Sequence, residues 1–476
     1  MKKKIFTLAI VIMLCITLTN QIFATSRIHQ LQSAQATSSS GKKTIVMENK
    51  SLTPPSLRYC DAALLVDLNS GRILYGKNSK KRIYPASTTK IMTAILAIEM
   101  GDFDEVVSAS EKAIEPITMN DSQIGILIGE KLTLEQLVHA MMIPSANDAA
   151  NVIAVHLSGS IDGFAELMNQ KAKELGMEHT HFVNACGMHD DNHYTTAEDL
   201  ALLAQYAMKN ETFRKIVKKP SYKIAPTNQY DTERELSNTN LFLSSDFHRM
   251  PFCNGIKTGH TSEAGYCLVS SANYKNRNLL SIVMGCDNED LEEHAYSYLD
   301  SKELFDFGIK NYKNLVVAAP DSVVHTAKVK HAKRNTELSL TVDTPIQALV
   351  SAKNKGFEGI EMKLKLPEKL YAPITKGTVL GTVTYTYRGT KIGTAKLVAA
   401  NDVERSILLY LLSILWKIIS SPFFFIPVIL ILLILINRNR RKKLRQKRLE
   451  QKRARNEALR AQMDSITRNN NSRYRS

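Results

Sequence analysis

Near its C-terminus the chain runs for 19 residues without a charge, Ile418–Ile436, and then turns basic with Arg438-Asn-Arg-Arg-Lys-Lys443. At about 1.5 Å of rise per residue, such a stretch nearly crosses a hydrocarbon layer of about 30 Å. Inside lipid the backbone has no water to bond, so the stretch is constrained to be a helix. Residues 418–436 are therefore read as a transmembrane helix. Positive charge marks the cytoplasmic side, which puts the basic tail 437–476 inside and the body outside. The same cations would attract anionic lipid headgroups. Just upstream, Val403–Lys417 is helical in pattern with charges only at its ends. It reads as an amphipathic helix over 403–417 lying at the outer surface, with Trp416 and Lys417 at headgroup level. One long tilted helix through both segments is the alternative.

The N-terminus gives the same orientation. Lys2, Lys3 and Lys4 precede an apolar run, Ile5–Leu18, and a polar stretch leads to Phe23-Ala24. Residues 1–24 are read as a secretory signal peptide, with an uncleaved anchor as the alternative. Residues 25–56, rich in Ser, Thr, Gln and Lys, read as a flexible linker. The formal charge of +16 misleads, because the tail 437–476 supplies +12 of it and the first 24 residues +3. The body is nearly neutral, so no nucleic-acid partner is expected. Beyond Cys15 in the signal, the five cysteines show no CxxC spacing, which suggests neither a disulfide framework nor a zinc knot. No metal or cofactor is implied.

The body divides into two parts. Ala62–Leu68 and Arg72–Tyr75 flank Asn69-Ser70-Gly71, a hairpin signal. Helical patterns follow at Thr88–Met100, from Thr133 (paired with Gln136 in a capping box), over Ile161–Leu175, and from Thr196 with Asp199 in the first turn. Strand patterns return at Ile256–Lys257, Gly265–Ser271 and Leu279–Met284. Strands, helices, then strands predict an α+β domain over 57–313, an antiparallel sheet flanked by helices. Residues 314–400 alternate in β fashion and are read as a small, separate all-β domain before the membrane.

Three short motifs in the first domain carry chemistry. Ser87-Thr-Thr-Lys90 is preceded by Pro85-Ala86 and followed by apolar Ile91–Met100. That context puts Ser87 at a helix N-terminus with Lys90 one turn on, and separates it from the same spacing at Ser39/Lys42 and Ser40/Lys43 in the linker. A serine hydroxyl is a weak nucleophile and needs an adjacent base. Lysine can serve only when neutral, which requires burial or a neighbouring cation, here Lys257, to lower its pKa. Ser145-Ala-Asn147 follows a proline that ends an apolar helix, so a serine and an amide project from an interhelical loop. Ordinary N-capping is the alternative there. In Lys257-Thr258-Gly259, lysine and threonine can hold a carboxylate, and glycine on an edge strand admits a substrate backbone; a solvated turn is the alternative. The order Ser-x-x-Lys, Ser-x-Asn, Lys-Thr-Gly is the one shared by penicillin-binding proteins and serine β-lactamases.

The sequence resembles the low-molecular-weight penicillin-binding proteins, specifically the D-alanyl-D-alanine carboxypeptidases. The likeness runs from about Leu57 to Ala400 and rests on Tyr84-Pro-Ala-Ser-Thr-Thr-Lys-Ile-Met-Thr-Ala, Ile143-Pro-Ser-Ala-Asn-Asp-Ala-Ala and Gly255-Ile-Lys-Thr-Gly-His-Thr-Ser-Glu-Ala-Gly-Tyr. It also includes Met168-Asn, Leu175-Gly-Met, His181-Phe-Val-Asn and His193-Tyr-Thr-Thr-Ala-Glu-Asp-Leu. The resemblance implies a β-lactamase/transpeptidase-like fold and removal of the terminal D-alanine from peptidoglycan stem peptides. It implies that Ser87 forms an acyl-enzyme, Lys90 takes the serine proton and Ser145 relays a proton to the leaving amine. Asn147 would bond the peptide, Lys257 and Thr258 would hold its carboxylate beside Gly259, and the backbone N–H groups of Ser87 and His260 would form an oxyanion hole. β-Lactams would acylate the same serine.

The sequence departs from the family in four places. Ala146 stands where some relatives have glycine and β-lactamases aspartate. Asn184-Ala-Cys-Gly replaces a proline-containing version. Between Cys286 and Glu303 the cations are His294 and Lys302, with none of the arginine that many relatives place there. A full span with a basic tail follows where relatives often end in a surface helix. A β-lactamase and a membrane β-lactam sensor are the rival functions. The first lacks a Glu-x-x-Leu-Asn element between Ala146 and Lys257, and the second a signalling domain.

Overall fold

The computed structural model describes residues 45–287 and 295–473. The signal-peptide reading of 1–24 and most of the linker reading lie outside the described residues. The contact pattern separates two units, residues up to 314 with 349–355, and residues 315–348 with those from 356 on.

The first unit is built on an antiparallel six-stranded sheet, in the order β1 (Ile45–Met47), β3 (Ile73–Lys77), β2 (Ala62–Asp67), β6 (Arg277–Cys286), β5 (Gly265–Tyr274) and β4 (Cys253–Thr261). The β2–β3 hairpin turns at Gly71, where φ of +74° suits glycine. Lys275 and Asn276, both at positive φ, close the β5–β6 hairpin, as a twisted two-residue turn requires. Strand β2 is buried throughout, because Ala62, Leu64 and Val66 join one apolar cluster and Ala63 and Leu65 another. Both faces of the sheet are therefore covered.

On the first face lie α1 (Lys90–Met100), α2 (Leu134–Met142), α3 (Asn147–Ser158), α4 (Ile161–Leu175), α5 (Ala197–Ala207) and α6 (Glu211–Val217). Their apolar faces, with Ile91, Ile95, Leu137, Phe164 and Leu200, fill the larger core. The capping box at Thr133 forms: Gln136 N–H donates to Thr133 Oγ1 at 3.2 Å, and Thr133 N–H to Gln136 Oε1 at 2.8 Å. Thr133→Ala is expected to lower unfolding stability by about 1 kcal/mol, read as a shift in the urea midpoint; an unchanged midpoint would mean that the cap contributes nothing. Asp199 N–H donates to Thr196 Oγ1 at 3.1 Å in the same manner.

The second face is closed by α7 (Tyr296–Asn311), a helix that the sequence patterns did not single out. Leu304, Phe305 and Phe307 enter the core, but so do Asp300 and Ser301, and those buried polar residues blur its periodicity. Asp300 accepts N–H bonds from Arg58, Tyr59 and Cys60 at 2.9 to 3.1 Å, which ties the entry of the chain to this helix. The linker reading of 25–56 is corrected at its end: Ile45–Met47 pairs with β3, and Leu52 is buried. The pairing of β1 fixes a segment whose composition alone looked unstructured. The five cysteines from Cys60 on are free, buried thiols.

The second unit carries a five-stranded antiparallel sheet, in the order His325–Ala327, Leu338–Val342, Thr390–Ala399, Val379–Tyr387, Ile360–Lys365. Leu338, Leu340, Val342, Val383 and Leu397 form its core. Two helices follow, α8 (Ile407–Ile419) and α9 (Pro422–Arg473), separated at Ser420-Ser421. The expected boundaries at 403, 417 and 418 shift accordingly. Val403 bridges to Ile374 and Arg405 to Ala332, so the helix cannot start until Ser406 caps Leu409 N–H. Proline at 422 fits the first turn of the next helix, where its missing N–H costs nothing. Helix α9 continues through the Asn- and Arg-rich residues to Arg473. Among the described residues it is the one helix long and apolar enough to cross a membrane.

Candidate active site

The chain turns sharply before α1. Ala86 adopts φ of +47°, Ala86–Thr89 forms a single 3₁₀ turn, and Thr88 Oγ1 donates back to the Pro85 carbonyl at 2.6 Å. Ser87 therefore stands on the turn just before the α-helix, partly exposed, while Lys90 is the helix's first residue and wholly buried. A second tier holds this turn. His193 takes Val183 N–H on Nδ1 at 3.2 Å, so its Nε2 carries the proton and donates to Thr89 Oγ1 at 2.8 Å. Burial lowers the pKa of His193 to about 4, which keeps the ring neutral in that role.

Lys90 Nζ lies 2.7 Å from Ser87 Oγ, 2.6 Å from Asn147 Oδ1 and 2.7 Å from the Cys186 carbonyl. Burial lowers its pKa to about 8, against the smaller opposing pull of Cys186, Asp148 and Asp121. A neutral amine has two hydrogens and one lone pair. Asn147 Oδ1 and the Cys186 oxygen can only accept, so they take the hydrogens, and the lone pair is left facing the Ser87 hydroxyl. In its neutral form Lys90 is thus placed to take the Ser87 proton.

Asn147 begins α3, and its backbone N–H donates to the Ser122 carbonyl at 2.6 Å. The adjacent Asp148 is buried and accepts N–H bonds from Ile124, Ile126 and Ala149. Burial raises its pKa while those donors pull it down. The loop 122–126 is fixed to the base of the site by this carboxylate. Ser145, in the preceding loop, is buried and held at φ of +70°, an uncommon conformation for a residue with a side chain. Its hydroxyl makes no hydrogen bond to Ser87, Lys90 or Lys257 within the protein as it stands.

Strand β4 forms the opposite wall. Lys257 is buried, and its ammonium donates to the Thr258 carbonyl at 3.0 Å and to Thr258 Oγ1 at 3.4 Å. Burial pushes its pKa well below the usual lysine value, and the charge of Lys90 adds to this. Gly259 also makes a close approach within the protein. A Cβ there would stand 3.0 Å from the backbone nitrogens of Ser87 and Thr88, so the missing side chain lets the strand close against the nucleophile's own backbone. His260 is exposed at the rim, its ring against Tyr266 at 4.1 Å, and burial lowers its pKa despite Glu263.

Three contributors went unnoticed in the sequence motifs. The Cys186 carbonyl is aimed by an Asx turn, in which Asn184 Oδ1 accepts Gly187 N–H at 2.7 Å. Gly187, at φ of +88°, packs directly on the Ala86 carbonyl. Thr239 Oγ1 lies 2.6 Å from Thr258 Oγ1 and orients that hydroxyl. Only the first had a visible cue, the Asn184-Ala-Cys-Gly sequence, and its use for holding a lysine is not readable from spacing.

A family described as D-alanyl-D-alanine carboxypeptidase (Peptidase_S11) matches residues 48–288, and the penicillin-binding protein 5 C-terminal domain matches 312–405. The chain is 32% identical over 350 residues to the D-alanyl-D-alanine carboxypeptidase DacF of Bacillus subtilis, covering 72% of this chain and 86% of that one. It is 29% identical over 361 residues to DacA of Haemophilus influenzae, covering 74% and 87%. Among solved structures, penicillin-binding protein 5 of Haemophilus influenzae superposes with a TM-score of 0.56 at 27% identity, over 74% of this chain and all of that one. The match spans both folded units, and the chain belongs to the D-alanyl-D-alanine carboxypeptidase family of serine peptidases.

Proposed function

We propose that this chain releases the terminal D-alanine of peptidoglycan stem peptides through an acyl-enzyme on Ser87. The observation that carries the assignment is Lys90 Nζ at 2.7 Å from Ser87 Oγ, with its other two directions spent on acceptors. Lys90 removes the hydroxyl proton as Ser87 attacks the carbonyl between the two D-alanines. The oxyanion lies against the backbone N–H groups of Ser87 and His260, donors that cost no reorganisation during the reaction. The approach of β4 allowed by Gly259 supports this pairing. Ser145 passes a proton to the departing amine once substrate excludes water. Asn147 Nδ2 faces the peptide while its Oδ1 holds Lys90. Thr258, oriented by Thr239, binds the terminal carboxylate with Lys257, whose charged form the incoming carboxylate favours. Water then hydrolyses the ester.

The test is D-alanine release from a peptide ending in D-Ala-D-Ala, with mass-spectrometric mapping of the penicillin adduct. Release together with an adduct on Ser87 is expected. An adduct without release would instead make the protein a β-lactam trap, and an adduct elsewhere would overturn the nucleophile.

The body is further proposed to lie outside the membrane, with the apolar first part of α9 spanning it and the basic remainder inside. The exposed apolar side chains of α8 and of the first part of α9, which no protein covers, support this anchor. Deleting 406–476 is expected to release an active, soluble body into the medium. Truncated protein that still pellets with membranes would sink the single-anchor reading.

A further inference from the structure

A second, separate cleft of about 730 Å³ opens between the α5–α6 corner and the ends of β4, β5 and β6. Its rim is cationic. Residues 209–219 carry five lysines and arginines against one acid, in a body that is otherwise nearly neutral. That acid, Glu211, is already paired with Lys215 at 2.8 Å, and among the described residues Lys209, Arg214 and Lys218 on the rim form no ion pair with a carboxylate. Arg214 spends Nη1 on the Met208 and Lys209 carbonyls at 2.8 and 2.9 Å, so its guanidinium is fixed in direction.

The floor is polar and ordered. Asn273 Nδ2 donates to Asn278 Oδ1 at 2.7 Å, and Asn278 Nδ2 donates to Asn69 Oδ1 at 3.0 Å, a chain of amides along the ends of the strands. Beside it Ser271 is 1% exposed, and its hydroxyl meets no hydrogen-bond partner among the described residues. A buried hydroxyl left unpaired is costly, and an orphan lining a cleft marks where a ligand atom belongs.

We propose that this cleft binds a phosphodiester-linked polyol polymer. Donors converge on it from the helix ridge and from the strand floor. That arrangement suits a tetrahedral anion better than a carboxylate, whose acceptors lie in one plane. Lys209 and Lys218 bracket α6, whose seven residues span about 10 Å, so one phosphate cannot meet both and a chain of them can. The amides and the Ser271 hydroxyl match the polyol hydroxyls and ester oxygens between phosphates. Bound polymer would hold the enzyme on a surface without occupying the site at Ser87.

The experiment uses the full chain in neutral detergent with poly(glycerol phosphate). Acetylation of surface amines is read residue by residue by mass spectrometry, so polymer on the basic tail does not confuse the result. Polymer is expected to slow modification of Lys209 and Lys218 by about five-fold or more, to leave exposed Lys173 unchanged, and to lose this effect at high salt. Arg214→Gln should weaken that protection while D-alanine release from a soluble peptide stays unchanged. The proposal is overturned by absent protection, by equal protection from polyglutamate, or by protection from phosphatidylglycerol vesicles alone, which would make the cleft a membrane contact.

Discussion

Replacing Lys90 by methionine is expected to slow acylation of Ser87 by about 10²- to 10⁴-fold, the range lost with a positioned general base. Methionine fills the same buried channel without an amine, so the fold and the strand β4 wall should persist. Loss of the fast penicillin reaction with an unchanged unfolding midpoint would separate chemistry from stability. Retention of even a tenth of the acylation rate would mean that another group deprotonates Ser87. The pH profile of the unsubstituted enzyme bears on the same point. The reactive form of Lys90 is neutral, so acylation should rise with pH and level off above about 8. At neutral pH about a tenth of the molecules then carry the free base, where an unperturbed lysine would give only about one in several thousand. Burial of the α1 N-terminus is thus part of the catalytic apparatus. A flat profile between pH 6 and about 9 would contradict that view.

The residues proposed to do the chemistry stand out in the sequence because their types are demanded by the proposed reaction, whatever the fold. Ser87, Lys90, Asn147 and Lys257 converge from the α1 turn, the start of α3 and β4, and three of the four are nearly or wholly buried. The hairpins and the caps at Thr133 and Thr196 were legible because turn and capping preferences act over three or four residues. What could not be read depends on distant partners. Helix α7 buries Asp300 because it serves backbone N–H groups some 240 residues away, and Ser301 because it meets the Ser281 hydroxyl on β6; their polarity hides the helix's apolar face. Strand β1 exists through its pairing with β3, which its composition does not announce. The closeness of Gly259 to the Ser87 turn could not be read for the same reason, since a missing Cβ says that something is close without saying what. Ser145 shares the buried loop before Asn147, and no hydrogen bond among the described residues ties its hydroxyl to Ser87, Lys90 or Lys257.

Gly187→Ala carries the other large effect, and it lies outside all three motifs. At φ of +88° an alanine is already strained, and its Cβ would stand 1.9 Å from the Ala86 oxygen and 3.0 Å from Ser87 N. Neither neighbour is the tip of a flexible side chain. Both belong to the backbone turn that carries the nucleophile, so the turn must move. A displacement near 1 Å at a reacting group costs about 10²-fold in rate, and that loss in kcat/KM for D-alanine release is expected, with a lowered melting temperature. Gly159→Ala provides the comparison. Gly159 has a similar φ of +83°, ends α3, and its added Cβ would meet nothing within 4 Å. It should lose about 1 kcal/mol of stability through backbone strain alone and keep its kinetic constants. A Gly187→Ala enzyme that folds and acylates at the normal rate would show that the Ala86–Thr89 turn tolerates displacement. The close packing of residue 187 would then have no part in holding Ser87 against Lys90.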